Sequence, residues 1–265
     1  MTSKVEPRSP YRALELRATV TTAGVLLALA ALSWWWTVRQ AGGMADMATG
    51  IGSVGTAMMT FDMSAAVFMA MWATMMVAMM FPTVAPIVLL HRMVVRRRGE
   101  GPSATVAFAA GYLAVWTAVG VVPLVVLIAF RHVAHGAGWI APLSGVVLVV
   151  AGAYQFTRWK ETCQRSCRNP LSFLMTHDFG RGAYPAARTG ASHGLYCLGC
   201  CWALMAVLFV VGLMNLAWMG AIAVVFLAEK NWRYGAILSK LAGIAVVGLG
   251  LAVLADHAVL SSIAA

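Results

Sequence analysis

Acidic side chains are scarce in this chain: nine Asp and Glu stand among 265 residues against nineteen Lys and Arg, for a formal net charge of +10. Charged residues of both signs make up only 11% of the sequence and hydrophobic ones 61%, giving a mean hydropathy of +0.81. So little charge excludes an ordinary soluble globular domain. Also missing are the period-2 alternation of a membrane barrel, a serine-nucleophile motif, a phosphate-binding loop and a Rossmann fingerprint. Gly248-Leu-Gly250 lies inside an apolar run and reads as a close-packing surface, not a nucleotide loop. No internal repeat, low-complexity tail or second soluble domain is evident. The positive charge comes without a nucleic-acid module, so no nucleic-acid partner is expected. The N-terminal MTSKVEPRSPYRALELR is polar for too long to open a signal peptide and no small-residue cleavage site follows, so the first apolar run is expected to be a retained helix.

What the chain does have is apolar runs, and about 20 apolar residues suffice for a helix to cross the hydrocarbon layer. Seven candidates follow one another: 18–38, 65–90, 104–130, 139–156, 195–214, a short 216–227, and 236–254. The expected fold class is therefore all-α, a polytopic transmembrane helical bundle of about seven spans with the lipid bilayer as its main partner. On alternating sides of these spans, seventeen of the nineteen basic residues fall on one side, Arg39 and Arg131 on the other. The positive-inside tendency then puts the N-terminus in the cytoplasm. The expected division is a cytoplasmic tail over 1–17, a helical domain over 18–257 with a cytoplasmic cysteine-containing loop at 157–194, and a tail over 258–265. Glycine and methionine crowd the outer segment 41–63, expected to lie on the membrane surface or dip into the bundle.

The five cysteines are gathered within forty positions. Cys197, Cys200 and Cys201 fall within an arc of roughly 100° if they form the first turn of a helix. Cys163 and Cys167 stand at i and i+4, again on one face. A reducing cytoplasmic side argues against structural disulfides and for a metal or thiol-redox site. Soft thiolates suit copper, with zinc or iron also open because CxxxC followed by CxxCC does not specify the ion. His177, Asp178 and His193 stand close enough in sequence to substitute for or support a thiolate. The competing reading is that these cysteines are small packing residues.

A second soft-donor group is the methionine run. Met71, Met75 and Met79 form one stripe at helical spacing, and Met76 and Met80, with Met69, line the opposite face. Thioethers can pass Cu(I) along without placing a charge in the bilayer, though methionine is also an adaptable filler of helix interfaces. Pro82 and Pro86 are expected to kink this helix. At the outer ends, His132, His135, Asp256 and His257, with Asp46 and Asp62, form a candidate outer metal site. Glu229 and Lys230 follow the short sixth run and are expected at the interface.

Three segments, Trp72–Pro82 (WATMMVAMMFP), Cys163–Phe173 (CQRSCRNPLSF) and His193 through Asn215 (with CLGCCWALM and VVGLMN), followed by the Glu229-Lys230 pair, resemble a bacterial family of predicted metal-binding integral membrane proteins, otherwise a domain of unknown function. The resemblance covers roughly 60–255. It implies a multi-pass protein of the bacterial inner membrane, marks Cys163, Cys167, Cys197, Cys200 and Cys201 as suspected ligands and Met75 to Met80 as a shared feature, and supplies no substrate.

The leading expectation is a membrane protein that binds a soft transition metal, copper favoured, in transport, handling or delivery, with a membrane protein or metallochaperone as partner. The alternatives are a membrane metalloenzyme, a copper or iron oxidoreductase using the outer His and Asp groups, and thiol–disulfide exchange through Cys197 and Cys200.

Overall fold

The computed structural model describes residues 10–45, 65–133, 140–177, 180–213, 215–256 and 258–264, and every regular element among them is an α-helix. In chain order these are α1 (Pro10–Ala45), α2 (Ala65–Arg97), α3 (Ser103–Val119), α4 (Val121–Val133), α5 (Ile140–Tyr154), α6 (Arg158–Arg168), α7 (Pro170–Thr176), α8 (Ala183–Val211), α9 (Leu216–Asn231), α10 (Gly235–Ala255) and α11 (Ala258–Ala264). Five stretches are long and apolar enough to cross a membrane: 17–40, 65–97, 103–126, 183–211 and 235–255. The other two expected spans are shorter. With 15 residues in α5 and 16 in α9, at 1.5 Å per residue each is about 22–24 Å long, against a hydrocarbon thickness of about 30 Å.

The core runs between α2, α3, α8 and α9, where Met76, Phe108, Cys201, Leu208, Met219 and Phe226 are buried completely. Glycine brings α3 and α8 together. A Cβ added at Gly111 would strike the Ala187 carbonyl, and one at Gly190 would strike that of Phe108. Backbone thus rests on backbone at two levels of the crossing. The pair α5 and α10 repeats the device: a Cβ at Gly152 would fall 2.7 Å from the Gly243 carbonyl oxygen, and one at Gly250 would fall 2.8 Å from that of Gly145. Gly250 therefore packs as its sequence context suggests, whereas Gly248 faces open space.

Two boundaries differ from the pattern of apolar runs. The third run breaks at Gly120, three residues before a proline that cannot donate to the helix ladder. More consequential for the site, α8 begins at Ala183, twelve residues before the apolar run does. Its polar first turns are helical because the backbone at Ala187 and Gly190 rests directly on α3, and packing outweighs local hydropathy.

Helix α2 runs unbroken through Pro82 and Pro86. Pro82 lacks the N–H that would bond the carbonyl of Ala78, and the Trp34 indole N–H donates to that oxygen instead at 3.0 Å. A side chain of α1 thus completes the ladder of α2 where the sequence interrupts it.

At the end of the bundle where α2 finishes and α8 begins lies the α6–α7 segment. Thr157 caps α6 by accepting from the Lys160 backbone N–H at 3.3 Å. Glu161 sits in its first turn and Arg165 and Arg168 in its last, as the helix dipole favours. Asn169 ends it and Pro170 starts α7.

Candidate metal centre

The sequence expected the cysteine trio in the opening turn of a helix. The structure places it midway along the 29-residue α8, because that helix starts early. All three of these thiols are buried. Helix α6 crosses α8 at this level and directs the face carrying Lys160, Gln164 and Cys167 inward, at the helical spacing i, i+4, i+7.

The sulfurs of Cys167, Cys197 and Cys200 lie within 4.8 Å of one another, with Cys167 and Cys200 3.8 Å apart. Three thiolates around one ion at metal–sulfur distances of about 2.3 Å stand about 4.0 Å from each other in a plane. The trio therefore fits a single soft ion with little movement. The Cys201 sulfur is 3.3 Å from that of Cys200 but outside the three-sulfur group. The Cys163 sulfur packs against the backbone of Gly199, where an added Cβ would come within 2.6 Å of it, and burial pushes its thiol above the ordinary range. The structure thus gathers one cysteine of the first pair with two of the following three.

Cys197 meets two polar side chains from other helices. The Lys230 ammonium donates to it at 3.0 Å and to Thr83 Oγ1 at 3.3 Å. The Tyr112 hydroxyl is 3.0 Å from it on another side. A buried ammonium offsets the negative charge a thiolate carries as a ligand. A cavity of about 140 Å³ adjoins these groups, lined by Thr83, Tyr112, Cys167, His193, Cys197 and Lys230 among others.

Glu229 and Lys230 are not interfacial as expected: they are 1% and 8% exposed. The reason is α6, which covers the end of α9. Glu229 pairs with Lys160 of α6 at 2.9 Å, both side chains being almost fully buried. Gln155 accepts a further hydrogen bond from Lys160, and Gln164 Nε2 donates to the Glu229 carbonyl at 3.5 Å. This ion pair fixes the helix that supplies Cys167. Neither Lys160 nor Tyr112 carries a sequence signal. Both lie among ordinary charged or aromatic residues, and only the crossing of α3, α6 and α9 with α8 reveals them.

Met75, Met76, Met79 and Met80 are buried in the core, whereas Met71 is half-buried. Met79 and Met80 precede Thr83, and so the cavity, by one turn; Thr83 Oγ1 donates to the Met80 carbonyl at 2.8 Å. His177 stacks on Phe173 at a centroid distance of 4.1 Å. Asp178 lies outside the described residues, as do Asp46, Asp62, His135, His257 and the His132 side chain. Asp256 is exposed and accepts the Ala258 backbone N–H at 2.9 Å as α11 begins.

No curated protein and no solved structure matches this chain. Residues 69–253, which include all five cysteines, the methionine run and Lys230, match the profile of a family described as a copper chaperone, PpoB2. A soft three-sulfur cluster at the centre of the matched region agrees with metal handling. The chain belongs to the PpoB2 copper chaperone family.

Proposed function

We propose that the protein is a membrane-embedded copper-handling protein that holds Cu(I) on Cys167, Cys197 and Cys200 and passes it to a protein partner. The observation that carries this reading is the convergence of those three sulfurs within 4.8 Å, in a chain of a copper chaperone family. Soft thiolates select Cu(I) over hard divalent ions. The Lys230 ammonium offsets part of the charge of the three thiolates. The bilayer as surroundings is supported by the five long apolar helices and by large apolar side chains such as Val25, Leu32, Val125 and Ile244 on the outside of the bundle. With basic residues concentrated at one end, the thiols face the cytoplasm. The buried methionines of α2, ending one turn from the cavity, supply soft donors on the path toward the other side.

The test is metal analysis of the detergent-purified full chain after incubation with Cu(I) and removal of excess ion. The wild type is expected to retain copper and the Cys197→Ser, Cys200→Ser double variant to lose it. A correctly folded wild type that retains none overturns the proposal.

A further inference from the structure

Two walls meet at Cys167 and Cys197. On one side stands Cys200, the third sulfur of the cluster. On the other is the cavity of about 140 Å³, which Cys167 and Cys197 line and Cys200 does not. His193 belongs to that cavity. It precedes Cys197 by four residues on α8, so the two share a helix face with their Cβ atoms about 5–6 Å apart. The imidazole is 3% exposed, and its Nδ1 has no hydrogen-bond partner among the described residues. Its ring is held between aromatic neighbours, with Phe173 edge-on at 4.9 Å and Tyr112 at 6.0 Å between centroids. A buried nitrogen without a partner is costly to keep. The ring lines the same cavity as Cys167 and Cys197, outside the group whose ligand atoms lie within 4.8 Å of one another, and exposed Asn231 also lines that cavity.

We propose that His193 completes a second copper position with Cys167 and Cys197, through which the ion leaves the three-sulfur cluster. This rests on the copper-handling reading above. In the step, the bond from copper to Cys200 Sγ breaks, a bond to a His193 ring nitrogen forms, and the Cys200 thiolate takes up a proton from water. Copper stays Cu(I), so no electron moves. Two ligands are common to both positions, so the ion is never released into the cavity. Exchanging a thiolate for a neutral imidazole removes one negative charge from around the ion. The ion is then held less tightly on the side from which a partner's ligands can reach it.

The experiment uses the full chain in detergent, Cu(I) as the probe and a soluble Cu(I) chelator as the acceptor. Variants are His193→Ala, His193→Gln, Cys200→Ser and Cys200→Ser with His193→Ala, each checked for a wild-type gel-filtration profile. Expected are unchanged copper content but transfer slower by about tenfold or more in both single His193 variants. Cys200→Ser should keep copper with an imidazole signature in X-ray absorption, and the double variant should lose it. Wild-type transfer rates in the His193 variants, or no imidazole signature in Cys200→Ser, overturn the second position while leaving the cluster intact. A copper-free wild type overturns the cluster itself, and the second position with it.

Discussion

The Lys230 ammonium lies 3.0 Å from the Cys197 sulfur, a buried cation set against one member of the three-sulfur cluster. Loading that cluster with Cu(I) leaves more thiolate charge than the ion neutralises, and Lys230 is the cation placed to offset it. Lys230→Met is expected to weaken Cu(I) retention about 10–100-fold in chelator competition, and Lys230→Arg to recover part of the loss. Equal retention in all three proteins would mean that Lys230 merely packs.

The two cysteines of α6 should behave differently although they stand one turn apart. Cys167 joins the cluster, while Cys163 abuts Gly199. Under the proposed function Cys167→Ser should abolish copper retention and Cys163→Ser should leave it near the wild-type value. Metal analysis of the two purified variants decides the matter, and the reverse ranking would place the ligand set elsewhere on α6.

Breaking the buried pair of Lys160 and Glu229 on one side only leaves an uncompensated charge, at a cost of about 3–5 kcal/mol. Glu229→Gln should therefore lower the unfolding temperature markedly and loosen copper retention, since α6 carries Cys167. The paired change Lys160→Met with Glu229→Leu removes both charges and should restore much of the stability. If the paired change is no better than the single one, the charges themselves are not what the two helices recognise in each other.

Trp34 and Pro82 make a reciprocal test. Trp34→Phe leaves the Ala78 carbonyl without its donor, for an expected loss of about 1 kcal/mol. In the Pro82→Ala background a backbone N–H returns to that carbonyl, and the same Trp34→Phe change should cost much less. Thermal unfolding of the four proteins gives the coupling directly, and additive effects would contradict the substitution of indole for backbone.

Much of the scaffold could be read without coordinates, because apolar runs of membrane length leave a helix as the way to satisfy every backbone group. The runs at 18–38, 65–90 and 236–254 each correspond to a helix, with ends shifted by tertiary contacts. The start of α8 was not legible, since Ala183–Gly194 lies before the apolar run and is helical through the fit of Ala187 and Gly190 against α3. The same early start moves the thiols from a helix end to its middle. Glu229 and Lys230 seemed interfacial by position in the chain, and are buried because α6 lies over the end of α9.

By itself the sequence determined the class and the chemistry: a bundle of apolar helices with soft sulfur donors confined to one region, because hydropathy and residue type are local properties. Which sulfurs share a point was decided only by the tertiary structure. The crossing of α6 with α8 turns Cys167 toward Cys197 and Cys200 and leaves Cys163 against a glycine, the packing of α9 on α8 brings Lys230 to the cluster, and His193 comes to line the cavity beside it. Distances between helices depend on packing of surfaces far apart in the chain, and no spacing along one helix contains them.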